Sequence, residues 1–211
     1  MWSWGRADEG RLGDGSVTAK SSPVQIGALT DWDKISGGHT YLMAIKNDKT
    51  LWGFGRNTSG QLGDSTILNK SSPVQVGADV DWLVVNAGFD HTLVVKEEGS
   101  LWAMGDNNPD GQLGDGTVDR KSFPVQIGAL LDWALPGAGT SWSGAIKKDG
   151  TFWSWGSATN GRLGNSTTTP SISSPVQVGA LKDWSIFTTS TQYALALKGS
   201  TDFRISTNII T

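Results

Sequence analysis

Cysteine is absent from this 211-residue sequence, and histidine occurs only twice, as His39 and His91. The first absence excludes disulfide frameworks, thiolate metal sites and cysteine nucleophiles together, and the second leaves little material for a histidine metal centre or a catalytic triad. Charge is also scarce. Charged residues make up 18% of the chain and the formal net charge is -3, so no basic footprint exists for the phosphates of a nucleic acid. No apolar run approaches the roughly 18 residues that span a bilayer, and the opening MWSWGRADEG lacks the basic-then-apolar order of a signal peptide. These absences predict a soluble, non-catalytic protein with no cofactor, no metal, no nucleic-acid partner and no membrane insertion.

Glycine and tryptophan are what the chain has in excess, 28 and 11 residues. Their placement is periodic. Trp2, Trp52, Trp102 and Trp153 step by 50, 50 and 51, while Pro23, Pro73, Pro124 and Pro175 step by 50, 51 and 51, as do Trp32, Trp82, Trp133 and Trp184. One unit is therefore written four times, over about 1–50, 51–100, 101–151 and 152–201, within a single domain 1–211. Departures from the period fall in polar stretches: DNNPDGQLGD carries one residue more than RNTSGQLGD, and the fourth unit lengthens before Ser174-Pro175. Such stretches are surface loops.

Each unit reads as β-structure. Leu42 to Lys46, matched by Leu93 to Lys96 and Leu195 to Lys198, is short, apolar and bounded by turns, as a strand buried on both faces should be. A turn of the Lys-Asp-Gly-Thr kind leads to Leu51-Trp52-Gly53-Phe54-Gly55, which makes a hairpin. After a long loop containing Gly60-Gln61-Leu62-Gly63-Asp64, Ser-Ser-Pro-Val-Gln-Val-Gly fits only an edge strand, because Pro73 has no N–H to donate. No window supports a helix longer than a turn. Three or four short strands per unit predict an all-β propeller of about four blades, with a solenoid of stacked hairpins as the rival architecture.

The order LWGFGRNTSGQLGD, SSPVQVG, DW, AGFDHTLVVK resembles the RCC1 repeat, named for the regulator of chromosome condensation, over essentially the whole chain. The resemblance implies a β-propeller, and with only four units an incomplete ring or arc is expected as well as a closed one. It also implies two kinds of function. One is guanine-nucleotide exchange on a small GTPase with chromatin attachment, which needs a wedge-like insertion and basic tails that this sequence lacks. The other is a propeller acting as an interaction platform, and this is the reading adopted, with another protein, or further copies of the chain, as partner. The near-identity of SSPVQIGAL, SSPVQVGAD, SFPVQIGAL and SSPVQVGAL resembles the uniform arrays of bacterial and phage proteins. A virion or cell-surface component, and hence a cytoplasmic or virion-associated location, is therefore an alternative.

Trp2, Trp32, Trp52, Trp82, Trp102, Trp133, Trp153 and Trp184 are expected to be mostly buried and to pack blade against blade. A related plant photoreceptor sets its light-sensing tryptophans in a Gly-Trp-Arg-His-Thr context, and Gly88-Phe89-Asp90-His91-Thr92 departs from it. The Gly-x-Leu-Gly-Asp motif lacks the Lys-Ser/Thr of a phosphate loop and reads as a tight turn. His91 aligns with Tyr41, Trp142 and Tyr193, a position for a flat ring with a polar tip at the inner or top surface of a blade; Asp31, Asp81, Asp132 and Asp183 recur and read as turn holders. Lys20, Lys70 and Lys121 share one position, with Ser173 as the fourth, and read as part of a mixed-charge surface.

Loops at 56–59, 106–110, 157–160 and 165–173 vary most, so Arg56, Asn57, Asn107, Asn108, Pro109, Asp110, Thr159, Asn160, Thr169 and Pro170 are the candidate partner contacts. The ends fall in mid-unit. Met1 to Gly5 copies the second strand of the hairpin, and Asp202 to Ser206 is a decayed fifth copy with Arg204 in place of Trp. Both would compete for the strand beside Leu195-Ala196-Leu197, so an open edge covered by another subunit or partner, or a fragment of a longer protein, is expected.

Overall fold

The computed structural model describes residues 1–28, 31–167 and 169–199. The fifth strand copy expected at 202–206 lies outside them. Five antiparallel sheets follow one another along the chain. Three are whole four-stranded meanders: Trp32–Gly37, Tyr41–Lys46, Leu51–Gly55 and Lys70–Gln75 (β3 to β6); Trp82–Ala87, His91–Lys96, Leu101–Gly105 and Lys121–Gln126 (β7 to β10); and Trp133–Ala138, Trp142–Lys147, Phe152–Ser157 and Ser171–Gln177 (β11 to β14). Two-stranded sheets flank them: Trp2–Gly5 with Lys20–Gln25 (β1, β2) before, and Trp184–Thr189 with Ala194–Lys198 (β15, β16) after. The sheets form an incomplete propeller ring. Among the described residues the helical elements are 3-10 turns at Asp8–Gly10 and Thr159–Gly161, and no helix is long and apolar enough to cross a membrane.

Local chemistry explains the strands. The second strand of each whole sheet is the apolar run, and in β8 and β12 all six residues are buried. The hairpin that follows turns on Lys49, Gly99 or Gly150 at positive φ, where their amides return to Lys46, Lys96 and Lys147 carbonyls at 3.0, 2.9 and 2.9 Å. Asp48 and Asp149 lock the turn by accepting from the amides of Thr50 and Thr151. The core lies in the wedges between sheets: Met43, Ile45 and Leu51 meet Trp82, Val94 and Met104, and Leu93, Val95 and Leu101 meet Trp133, Ala145 and Trp155.

The sheets are out of phase with the sequence unit. A sheet begins at the Trp32-type residue and ends near Gln75, straddling the unit boundary, and among the described residues this phase leaves a two-stranded sheet before and after the whole ones. Burial follows the consequence. Of the eight periodic tryptophans only Trp82 and Trp133 are fully buried; Trp32, Trp52, Trp102, Trp153 and Trp184 are half-buried, and Trp2 is 59% exposed. The expectation that all eight would be mostly buried is corrected for Trp2, because no neighbouring strand covers it among the described residues.

Candidate interaction face

In an up-and-down sheet the first turn and the third connection lie at one end, and the second turn with the crossover to the next sheet lies at the other. The variable loops all belong to the first end. Their shape is set by Asn57 and Asn107, whose side chains are fully buried. The Asn57 amide donates to Asp64 Oδ1 (2.9 Å) and to the Thr66 carbonyl (3.1 Å), and its Oδ1 accepts from Leu62 N (3.0 Å). Asn107 makes the same bonds to Asp115, Thr117 and Leu113. Both are therefore removed from the candidate contacts: a buried amide that satisfies its own loop cannot meet a partner. Asp14, Asp64 and Asp115 each accept from an amide two residues on and pair with Lys20, Lys70 and Lys121 at 3.4, 3.0 and 3.5 Å. The fourth member of the lysine position is Ile172 and not Ser173, because Ile172 pairs with Gly156 as Lys70 pairs with Gly55; Asn165 then replaces the aspartate, so the ion pair is lost as a unit.

The remaining candidates are accessible. Asn108, Pro109, Thr159, Asn160, Thr169 and Pro170 are exposed, and Arg56 and Asp110 are half-buried. Arg56 bridges sheets, lying 3.7 Å from Glu9 and 3.4 Å from Asp90, and Asp90 also accepts from Gln61 Nε2 at 3.1 Å. Burial, helped by the charge of Asp106 and opposed by Arg56, raises the Asp90 carboxyl above its ordinary value. Burial likewise raises Asp110. At the axial end of this face His39 stacks on Phe89 (centroids 3.9 Å, planes 11° apart) beside a cavity of about 190 Å³ lined by Gly38, Gly88, Gly139 and Thr140.

The opposite end carries an arrangement that reading the sequence missed. In each whole sheet a lysine lies over two tryptophans set edge to face: Lys46 over Trp32 and Trp52 (5.3 and 4.2 Å), Lys96 over Trp82 and Trp102 (4.8 and 4.9 Å), Lys147 over Trp133 and Trp153 (4.8 and 4.4 Å). The recurrent aspartates close it as ion partners, Asp31, Asp81 and Asp132 lying 3.6, 3.1 and 3.4 Å from the lysines. Cation–π attraction and a carboxylate together offset the burial of the ammonium. The signal was available, since Lys46, Lys96, Lys147 and Lys198 step by 50, 51 and 51 like the tryptophans.

The sequence profile of the regulator of chromosome condensation (RCC1) repeat matches residues 1–45, 48–95 and 149–197, and a second profile of the same repeat matches 84–112. The chain belongs to the RCC1 repeat family. In fold it is similar to human WBSCR16 (20% identity, TM-score 0.80, covering 94% of this chain and 54% of that one). It is similar also to Prp20p of Saccharomyces cerevisiae, alone (18%, TM-score 0.80, 94% and 52%) and as yeast RCC1 (Prp20) bound to Kap60 (19%, TM-score 0.78, 94% and 50%). The chain spans about half the length of these proteins. No curated protein matches it in sequence.

Within the RCC1 fold the ring position Tyr41, His91, Trp142 joins each sheet to the next. Tyr41 Oη donates to the His91 carbonyl (2.6 Å), His91 Nε2 meets Ser143 Oγ (2.8 Å) and Trp142 Nε1 donates to the Ser190 carbonyl (2.9 Å). These rings are interior and not at a surface, each below 4% exposed. Burial pushes the His91 imidazole down to about 3. A cleft of about 530 Å³ opens where β15 and β16 meet the last whole sheet and is lined by Lys147, Lys148, Asp149, Lys182, Asp183 and Trp184 among others. Among the described residues no three His, Asp or Glu side chains gather as metal ligands.

Proposed function

We propose that this RCC1-repeat protein is a non-catalytic scaffold that presents the loops between its third and fourth strands to a partner protein. The observation that carries the reading is where the copies differ. Strands, tryptophans and lysines recur from sheet to sheet, whereas loop length and sequence vary at one end of the sheets, where Asn108, Pro109, Thr159, Asn160, Thr169 and Pro170 stand exposed. A repeat protein individualises its surface in this way. Prp20p, similar in fold, is described by its binding to Gsp1p and histones and in complex with Kap60, which supports a protein as the class of partner. Mixed charge on the face, with Arg56 between Glu9 and Asp90, suits a polar protein surface better than a polyanion. Guanine-nucleotide exchange is not part of the proposal.

Grafting the 56–69 loop sequence onto the 106–120 and 157–170 loops tests the reading. The proteins that co-purify with the native chain should be lost from the grafted variant while its melting temperature stays within about 4 °C. Co-purification that survives the graft contradicts the assignment of this face.

A further inference from the structure

The repeat is broken at one junction between sheets. Three edge strands place serine before their proline, as Ser22, Ser72 and Ser174, and the other places Phe123 there. Three of the loops that follow the Gly-x-Leu-Gly motif read Gly15-Ser16-Val17-Thr18, Gly116-Thr117-Val118-Asp119 and Ser166-Thr167-Thr168-Thr169, whereas the remaining one reads Ser65-Thr66-Ile67-Leu68. Ile67, Leu68 and Phe123 are thus each larger and more apolar than their counterparts.

The fold brings these departures together. Each loop crosses onto the edge strand of the next sheet, where Gly15 N, Ser65 N and Gly116 N donate to the carbonyls of Ser71, Ser122 and Ser173 at 2.7, 2.8 and 2.8 Å. In two of these junctions the serine before proline points at the loop: Ser72 Oγ and Ser174 Oγ lie 3.6 and 3.8 Å from a Cβ built on Gly15 and Gly116. Phe123 takes that serine's place opposite Ser65, so its side chain leaves β10 toward the loop that carries Ile67 and Leu68. All three stay open to solvent, Ile67 at 62%, Leu68 at 65% and Phe123 at 52% exposed. An apolar cluster of this kind with a polar rim marks a surface that meets another molecule. The rim is sorted by depth. Lys70 ends the loop and Lys121 stands two residues before Phe123, with side chains 25 and 21% exposed, while their carboxylate partners Asp64 and Asp115 are 3 and 10% exposed beneath them. Asp119 is the exposed carboxylate nearby, and the two lysines on either side leave the outward charge of the rim positive.

We propose that Ile67, Leu68 and Phe123 anchor an acidic, apolar segment of the partner protein. Apolar side chains of that segment seat against the three residues, and Asp or Glu beside them meet Lys70 and Lys121. The inference rests on the platform reading and gives the chemistry of the partner at that face. A second copy of this chain does not fit, because a two-fold contact centred on the cluster sets lysine against lysine. A membrane surface does not fit a chain of formal net charge -3, which anionic lipids repel.

Short random peptides displayed on phage and selected on the native chain test this, with the triple variant Ile67→Val, Leu68→Thr, Phe123→Ser for counter-selection. That variant writes back residues found in the other copies, so its melting temperature should stay within about 4 °C of the native value. The enriched peptides should combine Leu, Ile, Phe or Trp with Asp or Glu. A synthetic copy of one should bind the triple variant about 30-fold more weakly than the native chain, and should lose about 5-fold in affinity when its acids become Asn and Gln. Peptides that bind both chains alike, enriched peptides that are basic or uncharged, phosphatidylserine vesicles bound by the native chain and not by the variant, or a native dimer that the variant dissolves overturns the proposal. The loop-grafted chain keeps Ile67, Leu68 and Phe123, so the two readings fail separately: selection that finds no such peptide while the graft still strips the co-purifying proteins sinks this inference alone, and the reverse sinks the platform assignment alone.

Discussion

His91 is a neutral imidazole enclosed by protein, with Ser143 Oγ at 2.8 Å as its side-chain partner. Its depressed value, about 3 against 6.5 for the free side chain, fixes the sign of a pH effect. Above about pH 6.5 both folded and unfolded chains carry it neutral and nothing is lost. As pH falls from there towards 3 the unfolded chain takes the proton and the folded chain does not, so stability drops, by about 2–3 kcal/mol at pH 4.5. Tyr41 occupies the same place with its hydroxyl 3.0 Å from Thr92 Oγ1, the counterpart of Ser143. His91→Tyr should therefore keep the fold and remove that part of the acid sensitivity, read as the difference between urea midpoints at pH 7 and pH 4.5. An equal drop in both proteins would refute the role. The alternation of Tyr, His, Trp and Tyr made a flat polar-tipped ring legible at this position, but the burial of Tyr41, His91 and Trp142 was not, because burial is conferred by the next sheet; Tyr193, with no next sheet among the described residues, is 57% exposed. Asn57 and Asn107 were illegible for a related reason: asparagine in a polar loop reads the same whether it faces solvent or satisfies its own backbone.

At the scale of the element, one position can be core or surface depending on what stands beside its sheet. Trp155 is fully buried and donates to the Gln112 carbonyl at 2.9 Å, while Trp4, its repeat equivalent, is 61% exposed. Trp155→Ala should cost about 3–5 kcal/mol, the usual cost of emptying a packed aromatic site. Trp4→Ala should change the stability of the dilute protein by no more than about 0.5 kcal/mol, the range of surface substitutions. Chemical denaturation of the two variants checks the contrast, and similar losses would mean that the N-terminal half-sheet is packed like the others. The period of tryptophan, proline and glycine made a repeated unit of three or four short strands legible from the sequence alone. It did not reveal where a sheet begins, since a repeating text has the same period from any starting letter; only the pairing of Trp32 with Lys46 and of Trp52 with Gln75 sets the phase.

For the whole molecule, that phase has the larger consequence. Three whole sheets shield one another in succession, whereas the terminal half-sheets each present an unpaired edge among the described residues. Stability in such an array is a sum over sheets and their interfaces, so opening should begin at β16 and β1 and reach β8 last. Residue-resolved hydrogen exchange, on samples dilute enough to be monomeric, tests this most directly. An open arc predicts that the outward amides of Ala194 to Lys198 exchange at least about 100-fold faster than those of Thr92 to Lys96. Equal protection of the two strands in the monomer would mean that the ring is closed within one chain, and would contradict the account.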